Sequence, residues 1–266
     1  FTLRAHICLV AADMPGREKL MNFKGNRGIC YCPYCYVQGV FHRGVYCPLE
    51  PPTNPAPPTV QARYGGELPD LNTYDSSNLP MRDDTQSRRI GLHVVQTGDE
   101  HTAKKYGIKG PCCLSQLKSI DIPRSFPPDA MHLWWENIIP DLVKHWRGKF
   151  SATKKFVQTN DEYNIRPSIW LDISRDMVAS ANTFPTLFGD PIRNFAEHCH
   201  HLKAAEWRTF AFLLAPIYLK GNLPDEDYEH YLNLIDAIQL ACDNEITVIE
   251  VLAVGRRIKR FIRYYE

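Results

Sequence analysis

The sequence predicts an α/β chain in which a short strand-bearing N-terminal part precedes a mostly helical remainder. Three observations carry that prediction. Residues Phe1 to Ala12 form an apolar and β-branched run with little polar interruption, the pattern of a buried strand. From Pro48 to Pro80 the composition shifts to Pro, Asn, Thr and Gly, with Pro-Pro at 51–52 and 57–58, and periodicity is lost. From Asp84 onward most segments repeat apolar residues at helical spacing. The expected division is therefore 1–49 for the strand and a cysteine knuckle, 50–83 for a Pro-rich surface loop, and 84–266 for the helical region.

The elements follow in order. Asp13-Met14-Pro15-Gly16 ends the first strand and places an acidic side chain at its tip. Arg17 to Phe23 reads as a short helix stopped by Lys24-Gly25-Asn26-Arg27-Gly28, and Cys30-Tyr31-Cys32-Pro33-Tyr34-Cys35 follows as a knuckle on a turn. Asp84 to Tyr106 reads as a basic helical stretch, with Ile90, Val94 and Val95 on its apolar side and Arg88, Arg89, Lys104 and Lys105 interleaved. Those cations are by default a solvated face; a DNA-facing surface is the functional reading. A connector from Gly107 to Pro128 has room for a second strand near Ser119 to Ile122. Asp129, after Pro127-Pro128, then opens a helix marked by Met131, Leu133, Trp134, Ile138, Ile139, Leu142, Val143 and Trp146. Pro140 should kink it. Helices are expected from Ser168 to Glu266, punctuated at Pro185, at Gly189-Asp190-Pro191 and at Gly221-Asn222-Leu223-Pro224, with no internal repeat.

Composition limits the function classes. With 266 residues, 44% hydrophobic and 23% charged, the chain can bury a core as one large domain or two small ones. Its 31 Lys+Arg against 30 Asp+Glu create no global basic field, so any DNA contact must come from local patches. Nine cysteines, three of them crowded into 30–35, favour metal ligation in a reducing, intracellular compartment over a disulfide scaffold. Arg4 and His6 break the N-terminal apolar run, so it fails as a signal peptide and reads as a strand within a longer reading frame. No run approaches the roughly 18 to 20 apolar residues of a membrane span, and no membrane partner is expected.

Three constellations carry chemistry. Cys32-Pro33-Tyr34-Cys35 has the two-residue spacing that lets both thiolates reach one tetrahedral zinc. Such a pair is half a site; His42 and Cys47 are the local candidates to complete it, with Cys30 competing for a thiolate position. The bland alternative is two reduced cysteines beside a turn. Asp129 and His132 lie three apart on one face of a helix's first turn, where they could share a ligand, a proton or a phosphate contact, or simply be an N-cap and a helix histidine. His198-Cys199-His200-His201 resembles a metal cluster, but helical geometry points those side chains in different directions, so it reads as a polar face. No nucleophile elbow, phosphate loop or paired-His zincin motif is present.

A strand, Asp13-Met14-Pro15, Cys32-x-x-Cys35 with Gly39, His42 and Tyr46 after it, and then Asp129-x-Met131-His132 resemble, in order and spacing, the CACTA (En/Spm) class of cut-and-paste DNA transposases. Phe184-Pro185-x-x-Phe188-Gly189, Lys203-Ala204-Ala205-Glu206-Trp207 and the closing helix around Phe261 to Tyr265 look like the segment that family places after its Asp-x-x-His motif. The resemblance covers nearly the whole chain. It implies a partial RNase H-like core followed by a mostly α-helical insertion region. Three carboxylates there hold two Mg²⁺ or Mn²⁺ ions for DNA strand cleavage and transfer, with Asp13 as the second carboxylate. Asp129 and His132 become DNA-positioning residues, Cys32 and Cys35 zinc ligands, transposon-end DNA the partner, self-association a further option, and the nucleus the location.

The departures are equally specific. The family's first Asp falls upstream of Phe1, and its Glu, with the His-x4-His that completes the zinc site, falls downstream of Glu266. A fragment carrying one carboxylate of three is expected to be inactive alone. The alternative reading is a non-catalytic, domesticated zinc-dependent module that binds DNA or protein. Glu206 is a weak surrogate for the missing acid, because its neighbours read as a packed helix.

Overall fold

Asp13 is the first residue whose role the fold fixes, and that role is helical. Its carboxylate accepts the Gly16 N–H at 2.7 Å and caps α1 (Met14–Met21), with Pro15 in the first turn, where its missing N–H costs nothing. The computed structural model describes residues 6–37, 39–41, 45–46, 78–149, 162–189 and 191–265. They are mostly helical and divide into two compact units, residues 1–129 and 130–266. No described helix is long and apolar enough to cross a membrane.

In the first unit, residues 6–12 form no strand; Leu9 is 67% exposed. A strand is held by a paired neighbour, and the described part of this run has one isolated backbone link, Val10 N–H to Ser125 O at 2.8 Å. Residues 1–5 of the expected strand lie outside the described residues. Ser119 to Ile122 also forms turns rather than a strand, since Ile120 and Ile122 insert into the core while Asp84 and Arg88 grip the backbone around them. The described strands are a two-residue antiparallel pair, β1 (Val40–Phe41) with β2 (Val45–Tyr46), in register Val40 to Tyr46 and Phe41 to Val45.

The basic stretch resolves into two helices. α2 (Asp84–Thr97) is capped by Asp83, which accepts the Gln86 N–H, and ends at Gly98 with φ +68°. α3 (Glu100–Tyr106) is capped by Asp99, whose carboxylate takes the Thr102 N–H and hydroxyl. Met21, Phe23, Ile90, Val94, Ala103, Ile108 and Phe126 form the apolar centre between these helices and α1. Arg88 is structural: it pairs with Asp84 at 2.8 Å and donates to the carbonyls of Ser115 and Ile120. Arg89, Lys104 and Lys105 face solvent.

The described residues of the second unit form helices joined by turns, with no strand among them. A π-helical turn, Met131–Ile138, runs into α4 (Ile139–Trp146), followed by α5 (Pro167–Ala179) and α6 (Phe195–His198). α7 (Ala204–Thr209) passes through a second π-helical turn, Phe210–Leu214, into α8 (Ala215–Tyr218). α9 (Asp225–Ala241) and α10 (Val248–Tyr265) pack antiparallel, with the Tyr264 ring stacked on His230 at 3.8 Å and Arg257 reaching Asp236 at 3.6 Å. Phe195 sits at the centre, between the rings of Trp170 and Phe210, with Trp207 edge-on.

Both π turns precede a proline, Pro140 and Pro216. Proline lacks an N–H and its ring clashes with the carbonyl four residues back. Widening the preceding turn relieves that clash: Ile139 N–H reaches Trp134 O, and Ala215 N–H reaches Phe210 O. The expected kink at Pro140 is thus accompanied by a widened turn. In the second case the carbonyl of Ala211 loses its helical donor, because Ala215 N–H is taken and residue 216 has none. Tyr231, fully buried on α9, donates its hydroxyl to that carbonyl at 2.7 Å. Tyr231→Phe keeps the ring packing but leaves the buried carbonyl unpaired, so urea denaturation should show a loss of about 1–3 kcal/mol; an unchanged midpoint would contradict this role.

Candidate functional site: the cysteine knuckle and its arginine clamps

The knuckle is built on glycine. Residues 28–30 lie against the end of α3, with Ile29 N–H on Lys104 O and Cys30 N–H on Lys105 O. The approach is so close that a Cβ on Gly28 would sit 2.7 Å from the Gly107 Cα. Opposite, residues 80–82 run antiparallel to 34–36: Arg82 N–H donates to Tyr34 O, Tyr36 N–H to Pro80 O, and Cys35 bridges to Met81. The end of the Pro-rich segment is therefore packed against the cysteines; its earlier residues, 50–77, lie outside the described residues.

Two buried arginines grip this turn. Arg82, 4% exposed, donates through Nε to Cys32 O at 2.9 Å and through Nη2 to Cys30 O at 2.8 Å. Its guanidinium lies between the Tyr36 ring at 4.3 Å and the Phe23 ring at 5.0 Å. Burial depresses its pKa, opposed by Tyr36 and by Cys30, Cys32 and Cys35; as an arginine it stays charged. No carboxylate lies within ion-pair distance among the described residues, so its charge is balanced by carbonyls and by sulfur. Arg17, 8% exposed on α1, donates to the Tyr34 hydroxyl at 2.6 Å and to Pro127 O at 3.4 Å, and stacks over the Tyr34 ring. Tyr34 in turn donates to Phe126 O at 2.8 Å.

The thiols respond to this setting. A hydrogen bond from Cys35, assisted by the backbone N–H groups of Tyr34 and Cys35 and by the Arg82 charge, outweighs burial and lowers Cys32 to about 6. Cys35 is pushed the other way, because it holds the shared proton against a neighbouring thiolate. Cys30 is fully buried, with its thiol 3.3 Å from Tyr36 O. The arrangement pairs one thiol lowered toward its thiolate with one that keeps the shared proton and would give it up only on metal binding, when both sulfurs could serve a soft divalent metal. Among the described residues no three His, Cys, Asp or Glu side chains cluster to hold a metal ion. The expected further ligands, His42 and Cys47, lie outside the described residues.

The other expected residues fall as follows. Asp13 is exposed; one carboxylate oxygen caps α1, and the other has no hydrogen bond among the described residues. Asp129 immediately precedes the helical run that starts at Ala130. His132 lies 3.5 Å from Glu136, one turn on, while Trp135 packs in the core edge-on to Phe212. Glu206 is held by Arg193 through two contacts of 2.8 and 2.6 Å and takes the Lys203 N–H, an ion-paired helix cap and not a carboxylate open to metal. Sequence reasoning missed Arg17, Tyr34 and Arg82. Tyr34 was a spacer between cysteines, and the short, Pro-flanked context of Arg82 carries no periodicity that announces burial.

Comparison of the chain with known protein families, with curated proteins and with solved structures finds no match.

Lowering Cys32 makes a sharp expectation for the metal-free chain. Its alkylation by iodoacetamide should fall about tenfold per pH unit below about 6 and level off above 7, since the thiolate is the nucleophile. Cys242, raised by burial, should still be gaining reactivity at pH 9. Identical profiles from peptide mapping would contradict the hydrogen-bonded pair.

Proposed function

We propose that this chain is an internal segment of a DNA transposase resembling the CACTA (En/Spm) class, contributing one catalytic carboxylate and half a zinc site to its parent. The observation that supports it is a set of contacts joining segments that neighbour three motifs far apart in sequence. Arg17, one helical turn beyond Asp13, bonds to Tyr34 inside Cys32-x-x-Cys35, and both hold Phe126 and Pro127, just before Asp129. Motifs that belong to one site are expected to be fixed to one another in this way.

In this reading Asp13 supplies one carboxylate to an RNase H-like core whose other two acids belong to other parts of the parent. Bound Mg²⁺ or Mn²⁺ would there activate the attacking oxygen and stabilise the leaving one. The free oxygen of Asp13 fits such a role, and its other oxygen, on Gly16 N–H, fixes the side chain. Cys32 and Cys35 would be zinc ligands, with Arg82 offsetting the negative charge that two thiolates accumulate, and His42 or Cys47 as local substitutes for the parent's remaining pair. Zinc in this place is structural. DNA at transposon ends is the partner, self-association belongs to the assembled parent, and the setting is nuclear. The use of Asp13 as a helix cap favours a second reading, a non-catalytic zinc-dependent binding module.

Strand transfer on element-end DNA separates the two. Asp13→Asn in the full-length parent should lower the rate by at least about a hundredfold, while Asp13 in a module would be replaceable. His132→Ala should lower the rate per folded molecule with little change in melting temperature if it positions DNA; a stability loss with an unchanged rate would make it structural.

A further inference from the structure

Within residues 130–266 lies a cavity of about 630 Å³ where the end of α4 meets the start of α5 and the turn after α6. Among the described residues its charged lining is basic or imidazole: Arg147, Lys149 and His200. Trp170, Leu171 and Pro167 supply an apolar wall. Some other cations of the unit, Lys144, Arg175, Arg193 and Arg257, pair with a carboxylate, while others such as Arg166 and Lys220 have no ion pair among the described residues. Arg147 instead touches the Cys199 thiol, and neither Arg147 nor Lys149 has a carboxylate partner among the described residues. The positive end of α5 opens here as well, with no side-chain cap and no acid in its first turn.

These cations repel one another and nothing described in the protein offsets them. The effect is visible on His200, whose pKa is lowered by partial desolvation and by the charges of Arg147, Lys149 and Lys144. A second sign of a missing acceptor is Trp170: its side chain is 3% exposed, yet its buried indole N–H has no hydrogen-bond partner among the described residues. An anion with several acceptor oxygens would answer the charge, and a guanidinium beside an ammonium at a helix N-terminus suits phosphate. The volume exceeds that of a bare ion and falls in the range of about 300–1,000 Å³ that holds nucleotide-sized ligands.

We propose that this cavity binds a phosphate group of a nucleic-acid strand, with the attached nucleoside against the Pro167, Trp170 and Leu171 wall. It rests on the DNA-binding reading above and adds a contact point in the helical unit that the Asp13 and cysteine motifs do not provide. His198-Cys199-His200-His201 acquires a different meaning from a metal cluster. Cys199 is buried against Arg147, and His200 belongs to the anion site.

The test is fluorescence anisotropy of a labelled single-stranded oligonucleotide with residues 1–266 over a range of salt, alongside NMR titration of His200 with inorganic phosphate. Lys149→Gln alters an exposed side chain and keeps the fold; Arg147→Gln is added to it after a melting check. The double variant should bind about tenfold or more weakly, with the log–log salt slope shallower by about 0.7, the value for one lost single-strand phosphate contact. Inorganic phosphate should raise the His200 pKa in the parent sequence and not in the double variant. Lys104→Gln with Lys105→Gln on α3 should leave the His200 response intact. Oligonucleotide binding with the same affinity and slope in all variants overturns the pocket while leaving a DNA-binding chain. A His200 response to phosphate without oligonucleotide binding overturns the nucleic-acid occupant, and the DNA reading with it.

Discussion

The contact between Arg17 and Tyr34 is the constraint on which the first unit depends. A buried guanidinium and a half-buried phenol hydrogen-bond to one another and then both reach for the backbone at 126–127. Because a buried polar group without a partner costs about 1–3 kcal/mol, neither can leave without the other losing. α1, the cysteine turn and residues 126–127 are thereby fixed as a set. Arg82 repeats the arrangement on the far side of the same turn, bonding to the carbonyls of Cys30 and Cys32. The backbone around the thiols is held by cations, and the Arg82 charge adds to the Cys35 hydrogen bond in favouring the ionised form of Cys32.

Much of the helical architecture was legible. The apolar positions Ile90, Val94, Ile139, Leu142, Val143 and Trp146 are buried as expected, whereas the stretch read as one helix from Asp84 to Tyr106 is two, divided at Gly98 with Asp99 capping the second. The buried positions depend on neighbours within a turn or two, which periodicity reports. The strands were misread for a physical reason. Apolar residues at 6–12 and 119–122 fit a strand locally, yet a strand exists only by pairing, and pairing is a long-range property that a run of side chains does not encode. The paired strands at 40–41 and 45–46 are two residues each, too short to show alternation.

The candidate site was legible in its chemistry and not in its scaffolding. Cys32 and Cys35 could be named from spacing, and Asp13 from its place after an apolar run. Nothing local distinguishes Arg17 or Arg82 from the 31 Lys+Arg residues of the chain, because what sets them apart is burial against aromatic rings and carbonyls contributed by distant segments. Pro140 and Pro216 occupy an intermediate case: a disturbance at each was foreseeable from the missing N–H, but the widened turn and its rescue by the Tyr231 hydroxyl required knowing that α9 packs alongside.

The linkage of α1, the cysteine turn and residues 126–127 stands or falls on one coupling. A double-mutant cycle of Arg17→Met and Tyr34→Phe, read by denaturant unfolding of the chain, measures it directly, since phenylalanine keeps the ring under the cation and removes only the hydroxyl. A coupling energy of about 1 kcal/mol or more is expected for a buried, charge-assisted pair. Additivity within about 0.3 kcal/mol would mean that the two residues act independently and that the three motifs are not fixed to one another.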